Sequence, residues 1–245
     1  MSSFAEEYKK LQTELAEHLN KLNRPADSVK ILAVSKTFPI EAIREAYASG
    51  VRMFGENKVQ ELSVKAESLP DDIEWHFIGH LQSNKAAKAV QYAQWIHSVD
   101  SVKLLNKLDR LAGEHAKQIH ILLEVNSGES AKSGVDYADL PELAEAAKNA
   151  QHLIWQGLMT MAPLSEDPAV WQAAFARLRI ARDELEKIHN IKLPVLSMGM
   201  SGDFTEAAAE GSTLIRIGSR LFGQRSYQQQ TPAEDADREG VQDIL

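Results

Sequence analysis

Apolar and polar positions follow two different periods along the chain. From residue 4 to residue 22 the large apolar side chains recur every three or four positions, which predicts an amphipathic helix. After Pro25 the pattern changes to short apolar runs, each of which predicts a buried strand. There are eight such runs: Ile31–Ser35, Val51–Phe54, Glu74–Ile78, Trp95–Val99, Ile119–Val125, His152–Met159, Leu193–Met198 and Thr213–Ile217.

Helical patterns fill the intervals between these runs. Ser101 stands where a helix cap is expected, and Asp203 with Glu206 three residues later predicts a capping box before the last helix. Gly50 and Gly211 stand where helices would end and turn into the next strand. The predicted helices are Ile40–Ala48, Lys58–Ser68, Asn84–Tyr92, Val102–His115, Leu140–Ala150, Val170–His189 and Phe204–Ala209.

Strict alternation of strands and helices requires a parallel sheet, because parallel neighbours need a crossover connection. Eight such units in about 220 residues favour a single (β/α)8 barrel of the TIM type, with the first helix as an N-terminal addition. An open doubly wound sheet is the alternative, but no G-x-G-x-x-G motif follows the first strand. We expect the barrel domain to span residues 1–227 and residues 228–245 to form a flexible, polar, acidic tail.

Charge and residue types exclude several classes of protein. The 27 basic and 35 acidic residues give a net charge of −8, which argues against nucleic acid as the main partner, since phosphate contacts need a positive surface. The chain has no cysteine, which excludes disulfides, thiolate nucleophiles and cysteine-based metal sites. No apolar run approaches the ~18–20 residues of a membrane helix, and the N-terminus lacks the apolar core of a signal peptide. We therefore expect a cytoplasmic protein that does not bind membranes.

Lys36 ends the first predicted strand, in the segment ILAVSKT. Barrel active sites lie where strands end and the following loops begin. One interpretation is a lysine whose stem covers apolar surface while its ammonium reaches water. The other is a Schiff-base lysine, since desolvation at a strand end disfavours the ammonium and leaves uncharged amine to attack an aldehyde.

Small residues gather in the loops after the last two predicted strands. SMGMSGDFTEA contains Gly199, Ser201 and Gly202 before a helix, and IRIGSRLFG contains Gly218 and Ser219 after the eighth strand. Small residues let backbone amides approach a ligand closely, and phosphate sites of barrels recur in these two loops. The alternative is that the glycines only form turns.

Arg216 lies inside the eighth predicted strand, between two isoleucines. Burying a guanidinium without partners is costly, which predicts a specific acceptor; an ion pair with an acid on a neighbouring element is the alternative. The histidines suggest no metal centre, because WHFIGH is strand-like and lacks the H-E-x-x-H pattern of zinc sites.

Six segments together resemble the YggS/PROSC family of pyridoxal phosphate homeostasis proteins. The match runs from about residue 5 to residue 223 in the family's order and spacing, and its most specific signature is WHFIGHLQSNK. The resemblance implies a single-domain barrel of the alanine racemase type that binds pyridoxal 5'-phosphate (PLP). The segments are ILAVSK, FGENKVQE (Phe54–Glu61), WHFIGHLQSNK (Trp75–Lys85), KSGV (Lys132–Val135), GLMTM (Gly157–Met161) and SMGMSGDF…A…GSTLIRIGSRLFG (Ser197–Gly223).

The resemblance also implies roles for individual residues. Lys36 matches the lysine that holds PLP as an internal aldimine, Arg216 the arginine that faces the pyridine nitrogen, and Asn57 an asparagine near the cofactor. Ser201, Gly218 and Ser219 match the phosphate loops, and Met200 is placed beside them.

An arginine opposite the pyridine nitrogen bears on catalysis. Arginine does not readily give up a proton, so the nitrogen would stay unprotonated and the ring would be a weak electron sink. Racemases of this fold type add a tyrosine from a second domain in a dimer, for which this chain shows no room. We expect a monomer that acts in PLP and B6-vitamer homeostasis without substantial catalysis, with apo PLP enzymes as candidate partners. The alternatives are a PLP-dependent amino-acid racemase with Lys36 as its base, or a regulator that senses PLP.

Overall fold

A computed structural model describes residues 3–129 and 133–223 of the chain. Within these residues the strands form one closed parallel barrel in chain order, as predicted, and the open-sheet alternative is excluded. Each predicted strand is present, with ends within two residues of those expected. The strands are β1 (Lys30–Val34), β2 (Met53–Glu56), β3 (Glu74–Phe77), β4 (Trp95–Val99), β5 (Ile119–Glu124), β6 (Leu153–Met159), β7 (Val195–Ser197) and β8 (Leu214–Ile217).

Helices connect the strands at the predicted positions, and the predicted N-terminal helix precedes the barrel. The predicted boundary at residue 227 and the predicted tail 228–245 lie outside the described residues. The helices are α1 (Phe4–Lys21), α2 (Ile40–Ala48), α3 (Val59–Ser68), α4 (Ala86–Tyr92, after a 3-10 turn at Ser83–Lys85), α5 (Val102–Glu114), α6 (Leu140–Asn149), α7 (Pro168–His189), α8 (Phe204–Ala209) and α9 (Ser219–Phe222).

One of the predicted helix caps is present in the structure and another is not. The Ser101 hydroxyl accepts from the Leu104 amide at the start of α5, as the cap position predicts. The capping box predicted for Asp203 and Glu206 is wrong, because the Asp203 side chain makes no bond into α8. Its Oδ1 instead accepts from the amide of Met200 at 2.5 Å, so this carboxylate closes the loop before the helix.

Helix α1 packs on the outside of the last two β–α units. The ring of Phe4 packs against that of Phe222 of α9 in a tilted arrangement, with 5.0 Å between ring centroids. Just after the helix, the Arg24 guanidinium donates to the carbonyl oxygens of Ala208 and Ser212, at 2.6 and 2.8 Å. The N-terminal addition therefore braces the units that carry the glycine- and serine-rich loops.

The alternation of side chains along β1 shows which of its residues face the barrel interior. Ile31 and Ala33 join the apolar cluster between the sheet and the helices, so Leu32 and Val34 face the barrel interior. Lys36 lies two residues beyond Val34, in the turn that follows β1 at the carboxyl end of the barrel. Arg216, buried within β8, lies beside Leu32 in the parallel register and shares its inward direction.

Candidate functional site

The closure of the barrel brings the first strand beside the last, and with it several of the predicted site residues. Ala33 pairs with Ile217, so the segments that follow β1 and β8 leave the sheet side by side. A β-carbon added to Gly218 would lie 3.2 Å from the carbonyl oxygen of Val34, which shows how closely the two segments approach. Lys36, half-buried, therefore lies at the same junction as Gly218.

Every polar atom of Ser35, the residue before Lys36, is hydrogen-bonded. Ser35 donates its amide to the Gly55 carbonyl at 3.0 Å and its hydroxyl to Glu56 Oε1 at 2.7 Å. Its carbonyl oxygen accepts from the ammonium of Lys65 at 2.9 Å, and that ammonium also contacts Glu56 Oε1 at 2.6 Å. Both charged side chains are buried, so the ion pair lies in a medium of low dielectric constant.

The residue after Lys36 is held by the same group of side chains. Thr37 adopts a left-handed backbone with φ of 69°, a conformation that is costly for a β-branched residue. Its amide donates to Glu61 Oε2 at 2.8 Å, and this oxygen lies 3.5 Å from Lys65 Nζ. Glu56, Glu61 and Lys65, which we call the Lys65 cluster, thus fix the backbone on both sides of Lys36.

Arg216 is buried inside the barrel and bonded to neutral acceptors. Its NH1 donates to the carbonyl oxygen and the hydroxyl of Ser197, at 2.7 and 2.9 Å, and its NH2 donates to the Thr160 carbonyl at 2.9 Å. Among the described residues no carboxylate forms an ion pair with it, so the specific-acceptor interpretation holds. Burial lowers the pKa of Arg216 to about 10, against the opposing charges of Asp203 and Glu124.

The loops after β7 and β8 adjoin each other. The Met198 amide donates to the Leu214 carbonyl at 3.2 Å, and the Arg216 amide to the Gly199 carbonyl at 2.9 Å. Gly199 has φ of 98°, and a β-carbon there would lie 2.6 Å from that of Ala207, so the turn requires glycine.

The predicted residues of these two loops differ in exposure. Ser201 and Gly218 are half-buried, while Ser219, the first residue of α9, is exposed. Met200 is 38% exposed, whereas Met198, two residues earlier, is buried in the core.

Buried polar atoms without a partner among the described residues occur at the same end of the barrel. Asn57 Oδ1 follows β2, Glu124 Oε2 ends β5 and Ser127 Oγ lies in the next loop. Glu124 accepts from the Ser133 hydroxyl at 2.8 Å through its other oxygen, and burial raises the pKa of Glu124. Buried polar groups are normally hydrogen-bonded, so these atoms indicate a site that a polar ligand would complete.

A small cavity lies at the carboxyl end of the barrel. The cavity, of about 200 Å³, opens between the loops after β2 and β3, where Asn57, His80 and Gln82 line it. In the described parts of the chain no three histidine, aspartate or glutamate side chains group as metal ligands. No helix within residues 3–129 and 133–223 is long and apolar enough to cross a membrane.

Sequence reasoning missed the Lys65 cluster and Glu124. A signal existed for the carboxylates, since Glu56 lies just beyond one predicted apolar run and Glu124 interrupts another. For Lys65 there was none, because a lysine in a helix of mixed polarity is ordinarily a solvated side chain.

Comparison with known proteins agrees with this geometry. The family described as "Alanine racemase, N-terminal domain" matches residues 12–226. The pyridoxal phosphate homeostasis protein of Pseudomonas aeruginosa is 44% identical over 93% of this chain and 98% of its own. The structure of PipY from Synechococcus elongatus with PLP bound is 46% identical, with a TM-score of 0.74 over 85% of this chain and 100% of that one. An alanine racemase of Clostridium difficile, 12% identical, shares the fold with a TM-score of 0.70 over 89% of this chain and 57% of that one. The chain thus belongs to the YggS/PROSC family of pyridoxal phosphate homeostasis proteins, within the wider group of alanine racemase-like barrels.

Proposed function

We propose that this protein binds PLP covalently and reversibly through Lys36 and acts in PLP homeostasis without substantial catalysis. The observation that carries the proposal is the arrangement of Lys36 at the β1–β8 junction. Its backbone is fixed on both sides, and Gly218 adjoins it. The names of the relatives and the PLP-bound structure of PipY support the same conclusion.

The residues present fit PLP. The cofactor supplies an aldehyde carbon that condenses with an amine and releases water. Lys36 is half-buried just beyond the end of β1, where such an amine would be needed. Ser201, Gly218 and Ser219 would hold the phosphate, in adjoining loops that follow the last two strands.

Polar groups are also available around the position that the pyridine ring of PLP would take. Arg216 uses three of its five N–H groups on Ser197 and Thr160, which leaves two donors for a ligand. Asn57 Oδ1, buried and without a partner among the described residues, would gain one from a bound molecule. We place Met200 at the edge of the site, where its exposed side chain borders the phosphate loops.

The proposed lack of substantial catalysis rests in part on Arg216. A guanidinium keeps its proton, so it donates a hydrogen bond to a ring nitrogen without protonating it and leaves the ring a weak electron sink. Its partners among the described residues are neutral oxygens, which supply no acid that could change this. We therefore favour a cytoplasmic carrier that receives PLP or other B6 vitamers and passes PLP to apo-enzymes.

Reduction and mapping test the covalent site. Purified protein loaded with PLP should absorb visible light, and borohydride followed by peptide mapping should locate the adduct on Lys36. Lys36→Ala should abolish both signals, whereas Lys192→Ala, at a lysine whose side chain is 90% exposed, should leave them unchanged. An adduct that persists on another residue in the Lys36→Ala protein would refute the assignment.

Two further assays separate carrier from enzyme. Loaded protein incubated with single amino acids in deuterated water should show no sustained exchange at the α-carbon; turnover at an enzyme-like rate would favour the racemase alternative. Loaded protein mixed with an apo PLP enzyme should restore its activity. A rate no different from that with an equal amount of pyridoxal phosphate in solution would argue against a carrier.

A further inference from the structure

A series of hydrogen-bonded polar side chains crosses the interior of the barrel. TIM-type barrel interiors are filled mostly by bulky branched apolar residues, so buried histidines there call for an explanation. His76 and His97 are buried, on β3 and β4, with 2.9 Å between His76 Nδ1 and His97 Nε2. We call Glu74, His76, His97, Ser197 and Arg216 the interior network.

The two ends of the interior network lie at opposite ends of the barrel. His76 Nε2 is 2.9 Å from Glu74 Oε1, at the amino end of β3, where the Glu74 side chain is 44% exposed. His97 Nδ1 is 3.2 Å from the hydroxyl of Ser197, which accepts from Arg216. The network therefore connects a solvent-accessible carboxylate to the guanidinium at the candidate site.

The chemistry of its two ends fixes the direction of every hydrogen bond. Arg216 can only donate, so the Ser197 hydroxyl oxygen accepts from it. The Ser197 proton goes to His97 Nδ1 because the Glu74 carboxylate, at the other end, fixes both neutral histidines with their protons on Nε2. His97 then carries its proton on Nε2 and donates it to His76 Nδ1. His76 in turn donates from Nε2 to the carboxylate of Glu74, which can only accept.

The reverse direction would be unfavourable at the Glu74 end. His76 would present a bare Nε2 to the Glu74 carboxylate, leaving two acceptors in contact. Both histidines are neutral in the favoured arrangement, in agreement with their environment. Burial lowers the pKa of His76 and lowers that of His97 well below its ordinary value, with the charge of Arg216 acting in the same direction on His97.

We propose that His97 is a positioning residue that fixes the guanidinium of Arg216 by way of the Ser197 hydroxyl. A serine side chain has three staggered rotamers, and only a rotamer that aims Oγ at Arg216 supplies the second acceptor for NH1. Acceptance of the hydroxyl proton by His97 selects that rotamer. With both oxygens of Ser197 in place, the plane of the guanidinium is set and its two remaining donors face the ligand.

The role of His76 and Glu74 is to hold His97 in the required tautomer. Without a hydrogen-bond acceptor at His76 Nδ1, His97 could equally carry its proton on Nδ1, where it could no longer accept from Ser197. A hydrogen bond to the second ring nitrogen is the usual device by which proteins select a histidine tautomer. This inference rests on the proposed function, since the ligand that Arg216 meets is PLP.

Tautomers of the two histidines can be measured without any cofactor. Nitrogen-15 chemical shifts of the ligand-free protein should show His76 and His97 neutral at pH 7, each with its proton on Nε2. A proton on Nδ1 of His97, or a cationic ring, would overturn the inference whatever the protein binds.

Substitutions test the effect on the site. His97→Leu removes the acceptor and should weaken PLP retention about tenfold, the factor that the loss of one ordinary hydrogen bond produces. It should also shift the visible absorbance of bound PLP, while borohydride still traps the adduct on Lys36. His97→Asn places an amide oxygen near the Nδ1 position and should restore most of the retention.

His120→Leu is the matched control. His120 also faces the barrel interior, where it stacks on Trp95 with ring centroids 4.5 Å apart. His120→Leu therefore removes an imidazole from the interior, as His97→Leu does, but one that is not part of the interior network. It should leave retention and absorbance unchanged. Equal behaviour of His97→Leu and His120→Leu would refute the positioning role while leaving the Lys36 site intact. If the unsubstituted protein forms no adduct on Lys36, the proposed function fails, and the nitrogen-15 measurement still decides the state of the network.

Discussion

Replacement of Lys65 by methionine tests the Lys65 cluster directly. The change keeps most of the side-chain volume but removes the ammonium from beside Glu56, a carboxylate with no exposed surface. Glu56 Oε1 would keep only the Ser35 hydroxyl, and Glu56 Oε2 already lacks a partner among the described residues. Removing one partner of a buried ion pair generally costs about 3–5 kcal/mol of unfolding free energy, and we expect a loss in that range.

A second substitution identifies the cause of that loss. Glu56→Leu in the Lys65→Met background removes the unpaired charge and should recover most of the stability, because apolar replacements of whole buried pairs are often close to neutral. Urea unfolding of the single and double variants at 25 °C gives the coupling energy. Arg110→Met, at an exposed i, i+4 pair with Glu114, is the control and should cost no more than about 0.5 kcal/mol.

The pH dependence of the Lys65→Met variant has a definite sign. Burial raises the pKa of Glu56, and without the opposing ammonium the folded-state pKa should rise further. A carboxyl group whose pKa is higher in the folded state binds its proton more tightly there, so folding is favoured as the pH falls through that pKa. The deficit of the variant should therefore be smaller at pH 5 than at pH 7. A deficit below about 1 kcal/mol at pH 7, or a double variant as unstable as the single one, would refute the account.

Three further changes test other features of the site and the barrel. Thr37→Gly should raise the free energy of unfolding by about 0.5–1 kcal/mol, since relief of the left-handed strain exceeds the added entropy of the unfolded chain. Thermal unfolding measures the change. Asn190→Gly is the control and should change stability little, because asparagine tolerates the left-handed φ of 51° at that position. Gly157→Ala should destabilise the β6–β7 pair by more than about 3 kcal/mol, because its β-carbon would lie 1.8 Å from a backbone oxygen; soluble yield and urea unfolding report it. Ser201→Ala and Ser219→Ala should each weaken PLP retention by roughly 1.5–3 kcal/mol, measured as dissociation constants, and unchanged retention would remove these hydroxyls from the phosphate site.

Local sequence pattern predicted the parts of this structure that depend on local chemistry. The apolar run Ile31–Ser35 and the polar residue after it located both β1 and the position of Lys36 at its carboxyl end, because a buried strand is marked by a short apolar run. Asp203 was misread as a cap since its carboxylate could satisfy either the helix or the loop before it, and in the structure it accepts from the loop amide of Met200. The sequence correctly indicated that the Asp203 side chain accepts a backbone hydrogen bond, but the predicted partner was wrong.

The interior network could not be read from the sequence. His76 and His97 lie 21 positions apart and meet only because β3 and β4 pair, and Ser197 is a further 100 positions away. Nothing in the local patterns around these three residues distinguishes them from isolated polar side chains of a strand. Only closure of the barrel, which brings distant strands to face one another, places these side chains within hydrogen-bonding distance.

The bracing of the barrel by its N-terminal helix has a consequence for synthesis of the protein. The acceptors of Arg24 on the last β–α units lie 184 and 188 positions further along the chain. At translation rates of about 5–20 residues per second, roughly 10–40 seconds separate the emergence of α1 from that of its partners. During that interval the apolar face of Leu11, Leu15 and Leu19 lacks part of its final covering. The glycine- and serine-rich loops after β7 and β8 belong to the same late units, so the proposed cofactor site is complete only when the chain is nearly finished.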